Sequence, residues 1–163
     1  MVTYTECQLA YEKQFKSVPF QELDNAFYVA EYFASKKEVP PYMGGLIIRR
    51  ISDYYQSWAS FFHRLLMPNP SSIIDLEESK NLTTEDKKNI QRLLRDVMGF
   101  VTKATALNFE KDVTENEKFM KESLDFYSTA LSPFLKEFLL RLHESWKKDS
   151  IKDPISKSYG GII

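Results

Sequence analysis

Ile47-Ile-Arg-Arg-Ile-Ser-Asp-Tyr-Tyr-Gln-Ser-Trp-Ala-Ser-Phe-Phe-His-Arg-Leu-Leu66 is the stretch on which the fold class turns. At 100° per residue, Ile47, Ile51, Tyr54, Trp58, Phe61 and Leu65 fall on one line. Ile48, Tyr55, Phe62 and Leu66 widen that line to an apolar arc of about 140°. Arg49, Asp53, Gln56, Ser60, His63 and Arg64 occupy the opposite side. A half-buried strand would alternate with period two, whereas this run repeats every three to four residues, so it reads as an amphipathic helix. Met67-Pro-Asn-Pro-Ser-Ser72 stops it, because neither proline can continue the hydrogen-bond ladder.

The same period extends in both directions. Upstream, Thr5 and Gln8 have capping-box spacing, with Tyr4 placed to staple onto Leu9, and Tyr4, Tyr11, Phe15 and Val18 supply the stripe of a first helix. Pro19 suits the first turn of a second helix, whose seam would be Phe20, Leu23, Phe27, Ala30 and Ala34. Residues 35–41 read as a linker, and Pro40-Pro41-Tyr-Met-Gly-Gly45 as a turn that admits a closely packed helix. Downstream, residues 73–82 are expected to form a short helical turn or a loop. Thr83 or Thr84 with Glu85 and Asp86 opens a helix whose buried stripe is Ile90, Leu93, Leu94, Val97, Met98, Val101 and Ala104. Thr114 and Glu117 are expected to box the start of the next helix, through Met120, Leu124, Tyr127 and Leu131. Ser132-Pro133 then either caps a separate helix or kinks a continuous one; Leu135, Phe138, Leu139, Leu142 and Trp146 form the core face beyond it.

The expectation is therefore all-α: one bundle of five to six helices over residues 1–148, with an irregular, mobile tail over 149–163. Composition agrees. A chain of 163 residues fits one domain, and only 5 glycines leave little for β-turns or phosphate-cradling loops. The formal charge of −1, from 22 basic and 23 acidic residues, argues against a strongly basic nucleic-acid arm or a polybasic membrane surface. No uncharged run reaches the ~20 residues of a membrane span, and the first residues lack a secretory pattern, so a cytoplasmic location is expected.

Constellations that carry chemistry are scarce. Cys7 is the only cysteine and cannot build a disulfide framework or a multi-Cys metal site; it reads as a small apolar side chain. The residues three before His63 and His143 are Ser60 and Leu140, so the Glu-x-x-His pairs of di-metal bundles are missing. The adjacent carboxylates Glu77-Glu78 and Glu85-Asp86 read as solvated helix caps. No cofactor and no metal are expected, and no catalytic residue is assigned.

The strongest local bias lies in residues 41–72, which hold three arginines, no lysine and a single acidic residue, Asp53, beside six aromatics. Arg49, Arg50, Gln56, His63 and Arg64 form a polar ridge ~22 Å long on the third helix. With the aromatics assigned to the opposite, buried face, this ridge is the candidate contact with a protein partner or, in the alternative, with nucleic acid. Tyr159-Gly-Gly-Ile-Ile163 is the other candidate contact element.

Ser17-Val-Pro-Phe-Gln-Glu-Leu-Asp-Asn-Ala-Phe-Tyr28, Ile47-Ile-Arg-Arg-Ile-Ser-Asp-Tyr-Tyr55 and Asn81-Leu-Thr-Thr-Glu-Asp86 together resemble, in helix order and residue type over residues 8–98, the helical domain of archaeal GINS replication-complex subunits. The resemblance implies a scaffolding role in replication. Such subunits also carry a small β-domain, whereas residues 114–148 here read as helix. Gln56-Ser-Trp-Ala-Ser-Phe-Phe62 is one residue shorter than a sliding-clamp-binding box. The functional expectation is a non-enzymatic, helical protein-interaction subunit of an intracellular complex. A nucleic-acid-associated subunit using the arginine ridge is the first alternative. An enzyme whose site is dispersed over several helices is the second.

Overall fold

The computed structural model of the chain describes residues 1–148, and all regular structure among them is helical. The expected tail, with Tyr159-Gly-Gly-Ile-Ile163, lies outside the described residues. Helix α1 (Tyr4–Gln14) begins two residues earlier than the Thr5 box implies. Thr3 is the N-cap: its hydroxyl accepts the Glu6 N–H, while the Glu6 carboxylate accepts the Thr3 N–H at 2.8 Å. A carboxylate at the third helical position satisfies an orphan donor and suits the helix dipole, which gives Glu6 the advantage over Gln8. Tyr4 packs on Phe20 rather than stapling onto Leu9, and Leu9 faces solvent. Phe15 and Val18 are buried from the loop after α1, where Val18 O accepts the Tyr11 hydroxyl at 2.8 Å.

The expected second helix is two. α2 (Phe20–Phe27) ends at Tyr28, whose φ of 56° is left-handed, and α3 (Val29–Ala34) starts immediately after it. The break changes the buried register, so Val29 and Phe33 enter the core while Ala30 and Ala34 stay half-buried. Asp24 reaches across the corner to accept the Ala30 N–H at 2.7 Å, which occupies a donor at the start of α3.

Helix α4 (Gly44–Leu66) is the central rod, lying along α6 and against α7. Its entry depends on Gly44. A Cβ there would meet the Tyr42 ring at 2.5 Å and Asn116 Nδ2 at 2.9 Å, so the tyrosine lies where a side chain would be. This is the close packing that the Gly44-Gly45 turn implies. α5 (Ile73–Lys80), capped by Ser72, turns the chain into α6 (Thr84–Leu107), where Thr83 and Asp86 form the capping box. α7 (Val113–Phe126) is capped by Asp112 instead of Thr114. Glu117 is used elsewhere: its carboxylate accepts the N–H groups of Lys16 and Ser17, both at 2.6 Å, and ties α7 to the loop after α1.

At Pro133 the continuous reading holds. A π-helical turn (Tyr127–Leu131) joins α7 to α8 (Ser132–Lys147) with right-handed backbone at both junctions. Ser132 N–H bonds to Tyr127 O, five residues back. Counting that continuous rod once, seven helices pack as a single domain among the described residues, close to the five to six expected. Splitting at Tyr28 and ordering of α5 add helices, while fusion at Pro133 removes one.

The core holds an aromatic cluster. Buried Phe27 and Tyr55 meet partly buried Phe100, Phe126 and Tyr127 edge-on or tilted at 5.2–5.9 Å, and the Tyr55 hydroxyl donates to Ser123 O at 2.6 Å. Phe100 belongs to this cluster although the α6 stripe passed over it. Arg141 of α8 meets Asp86 at the start of α6 through two hydrogen bonds of 2.6 and 3.1 Å. Among the described residues, no helix is long and apolar enough to cross a membrane.

Candidate interaction surface

Because α4 is packed on by α6 and α7, its buried line is displaced around the helix from the one expected. Ile48, Ile51, Tyr55 and Phe62 are fully buried, with Ile47 and Leu65 covered at the two ends. Tyr54, Trp58 and Phe61, in the middle of the expected core line, are only half-buried. They touch in sequence: Tyr54 to Trp58 at 6.4 Å and Trp58 to Phe61 at 5.7 Å between ring centroids, both edge-on. Burial pushes the Tyr54 phenol up to about 12, against a hydrogen bond from Trp58 that works the other way. Tyr54 therefore stays a neutral hydroxyl, able to donate or accept.

Arginine brackets this aromatic edge. Arg50 sits one turn before Tyr54, and its Nε donates to Phe27 O at 2.7 Å, which satisfies the end of α2. Arg64 sits one turn after Phe61 and nearly two after Trp58. Its guanidinium lies 5.3 Å from the Phe61 ring centre and pairs with Asp75 at 3.6 Å and Glu78 at 3.3 Å on α5. The two arginines are thus held in place and half in solvent. Arg49, Gln56 and His63 lie further round the helix, exposed, with no hydrogen-bond or ion-pair partner among the described residues. The five predicted ridge residues therefore divide. Arg50 and Arg64 belong to the aromatic edge and brace neighbouring helices, while Arg49, Gln56 and His63 form the outward line.

Tyr54, Trp58 and Phe61, expected on the buried line, do pack against the core, but each keeps a partly accessible edge that the sequence reading did not anticipate. The available signal was the width of the arc: one packed neighbour rarely covers 140°, so an edge of a wide apolar arc is left over.

Other candidate features resolve as follows. Cys7 is fully buried, and burial first, then the Asp24 charge, pushes its thiol up to about 11, so it is held as the unreactive thiol. Among the described residues no three His, Cys, Asp or Glu side chains gather as a metal-holding group. An open groove of about 610 Å³ separates α1 from residues 37–41, walled by Val2, Leu9, Ala10, Val39 and Pro40. On α8, Leu139 and Trp146, expected on the core face, are exposed instead at its margin, and Leu140 is exposed further round the helix. No protein-family model, no curated protein and no solved structure matches the chain.

Proposed function

We propose that the protein is a non-enzymatic interaction subunit that docks a protein partner on the Arg50–Arg64 edge of α4. The observation that carries this reading is the partly buried row Tyr54, Trp58, Phe61, which keeps an accessible edge beside arginines already fixed by hydrogen bonds and ion pairs. Trp, Tyr and Arg are the side chains that dominate binding energy at protein interfaces. A rigid row of them also costs little ordering entropy on association. Arg49, Gln56 and His63 would form the polar rim beside it. Direct use of the same ridge for nucleic acid is less favoured, because Arg50 and Arg64 are committed to Phe27 O, Asp75 and Glu78.

The test is capture of partners from nuclease-treated native lysate by the tagged full chain, beside a variant combining Trp58→Ala with Arg49→Glu. A protein recovered stoichiometrically with the wild type should be lost from the variant. A Lys87→Glu control should retain it, with far-ultraviolet circular dichroism unchanged in all three. Retention of the partner by the double variant overturns the assignment of the edge.

A further inference from the structure

Helix α6 carries a charge pattern that neither its capping nor its packing explains. Its buried side is Asp86, Ile90, Leu93, Val97 and Ala104. On the outward side, Lys88, Arg92 and Arg95 follow one another at i, i+4 and i+7, with Lys87 and Gln91 on one flank, and all five are exposed. Lys88–Arg92 and Arg92–Arg95 are like-charge neighbours at the spacings where side chains meet, an arrangement that weakens a helix. Lys87 and Lys88 also sit near the helix N-terminus, where the dipole disfavours cations. Glu85 and Asp96 on the other flank neutralise little: Asp96 stands 3.9 Å from Arg95, and Glu85 pairs with neither lysine among the described residues. Arg92 donates only to neutral Asn89, at 2.9 Å. In a chain of net charge −1, four cations gathered on one helical face are a local excess that costs stability unless something anionic covers it.

We propose that this face of α6 docks on the phosphate backbone of a nucleic-acid duplex, a surface distinct from the α4 edge and independent of the reading given for it. The composition of the face selects the occupant. Lys, Arg, Gln and Thr are the side chains that contact phosphate and sugar, and Thr102 continues the face one turn beyond an unobstructed Gly99. Among the described residues no aromatic side chain lies on it to stack an unpaired base, which disfavours single strands. An acidic protein would also need an apolar centre to its interface, and an anionic membrane would need an apolar wedge; only Met98 is exposed here to serve as either.

The test measures binding of the full chain to a fluorescently labelled 20-base-pair duplex of mixed sequence between 50 and 200 mM salt. Three to four phosphate contacts predict a log–log salt slope of about −3, and hence an affinity loss of roughly 60-fold or more over that range. Lys88→Gln, Arg92→Gln and Arg95→Gln combined should flatten the slope by about two to three and weaken binding at 50 mM at least about tenfold. These side chains are exposed, so the helical circular dichroism should be retained. Arg49→Glu on α4 should leave duplex binding unchanged. Each of the following overturns the proposal: no duplex binding by the wild type at 50 mM, equal binding by the triple variant, loss in Arg49→Glu instead, or tighter binding to phosphatidylserine vesicles than to duplex.

Discussion

Tyr28 turns the chain at φ 56° and ψ 48°, a conformation that presses Cβ toward the following carbonyl and costs ~1–2 kcal/mol in residues other than glycine. Its neighbours hold it there: Tyr28 N–H bonds to Asp24 O, the Asp24 carboxylate accepts the Ala30 N–H, and Arg50 occupies Phe27 O. About half of the ring is in solvent, so its packing offsets little of the backbone strain. Tyr28→Gly should therefore raise the thermal midpoint by a few degrees. Relief of strain would exceed the extra entropy that glycine gives the unfolded chain, with a net gain of about 0.5–1 kcal/mol. A fall in the midpoint, measured by thermal denaturation, would mean that the ring contributes more than its exposure suggests. The corner was not legible in the sequence. Phe20, Leu23, Phe27, Ala30 and Ala34 keep a helical spacing through it, and a tyrosine carries none of the signals by which glycine or asparagine marks a left-handed turn.

The π turn between α7 and α8 is legible only as an ambiguity, because Pro133 forbids a regular α-helix without saying how the chain avoids one. In an α-helical register the proline ring would collide with the Thr129 carbonyl, at a cost of ~3 kcal/mol. The wide turn absorbs one extra residue, and the hydroxyls of Ser128 and Thr129 donate to Leu124 O and Asp125 O at 2.8 and 2.7 Å inside it. Since Leu135, Phe138 and Leu142 are buried, the turn also sets which face of α8 meets the core. Deleting Thr129 together with Pro133→Ala should give a regular helix with the same facing and a denaturant midpoint close to that of the wild type. Deleting Thr129 alone returns the proline to a regular α-helix and should cost about 2–3 kcal/mol. Equal stability of the two variants would show that the turn does not exist to accommodate Pro133. Elements defined by strong periodicity, α4 and α6 above all, were readable because one face of each is buried along its length. What periodicity could not give was the rotation of that face: Trp58, expected in the core, and Phe100, left off the expected stripe, both end partly buried at its margin, because neighbouring helices, not the helix itself, choose the covered side.

Across the whole molecule, two carboxylates join parts of the chain that sequence separation keeps far apart, and neither linkage shows in a pattern of residues. Asp86 binds Arg141 while closing the Thr83 cap, and Glu117 holds the Lys16 and Ser17 N–H groups. The Arg141 guanidinium, aided by Thr83, outweighs burial and holds the Asp86 carboxyl below the usual carboxylate range. Burial raises Glu117, but the N–H donors of Ser17 and Lys16 outweigh it and leave that carboxyl lowered as well. In the unfolded chain these groups titrate near ~3.9 and ~4.3, so on acidification the unfolded state takes up protons first. The stabilisation is then fully present above those values and is lost as the pH falls through the lower, folded ones. Unfolding free energy should decline steadily as the pH is lowered from about 5 toward 2. The combined variant Asp86→Asn with Glu117→Gln keeps neutral acceptors at both places but removes the two titrations. It should be less stable than the wild type at pH 7, show a shallower decline below pH 5, and meet the wild-type curve near the acid end. Chemical denaturation at a series of pH values measures both curves; parallel curves offset by a constant would show that these carboxylates stabilise the fold without coupling it to protonation.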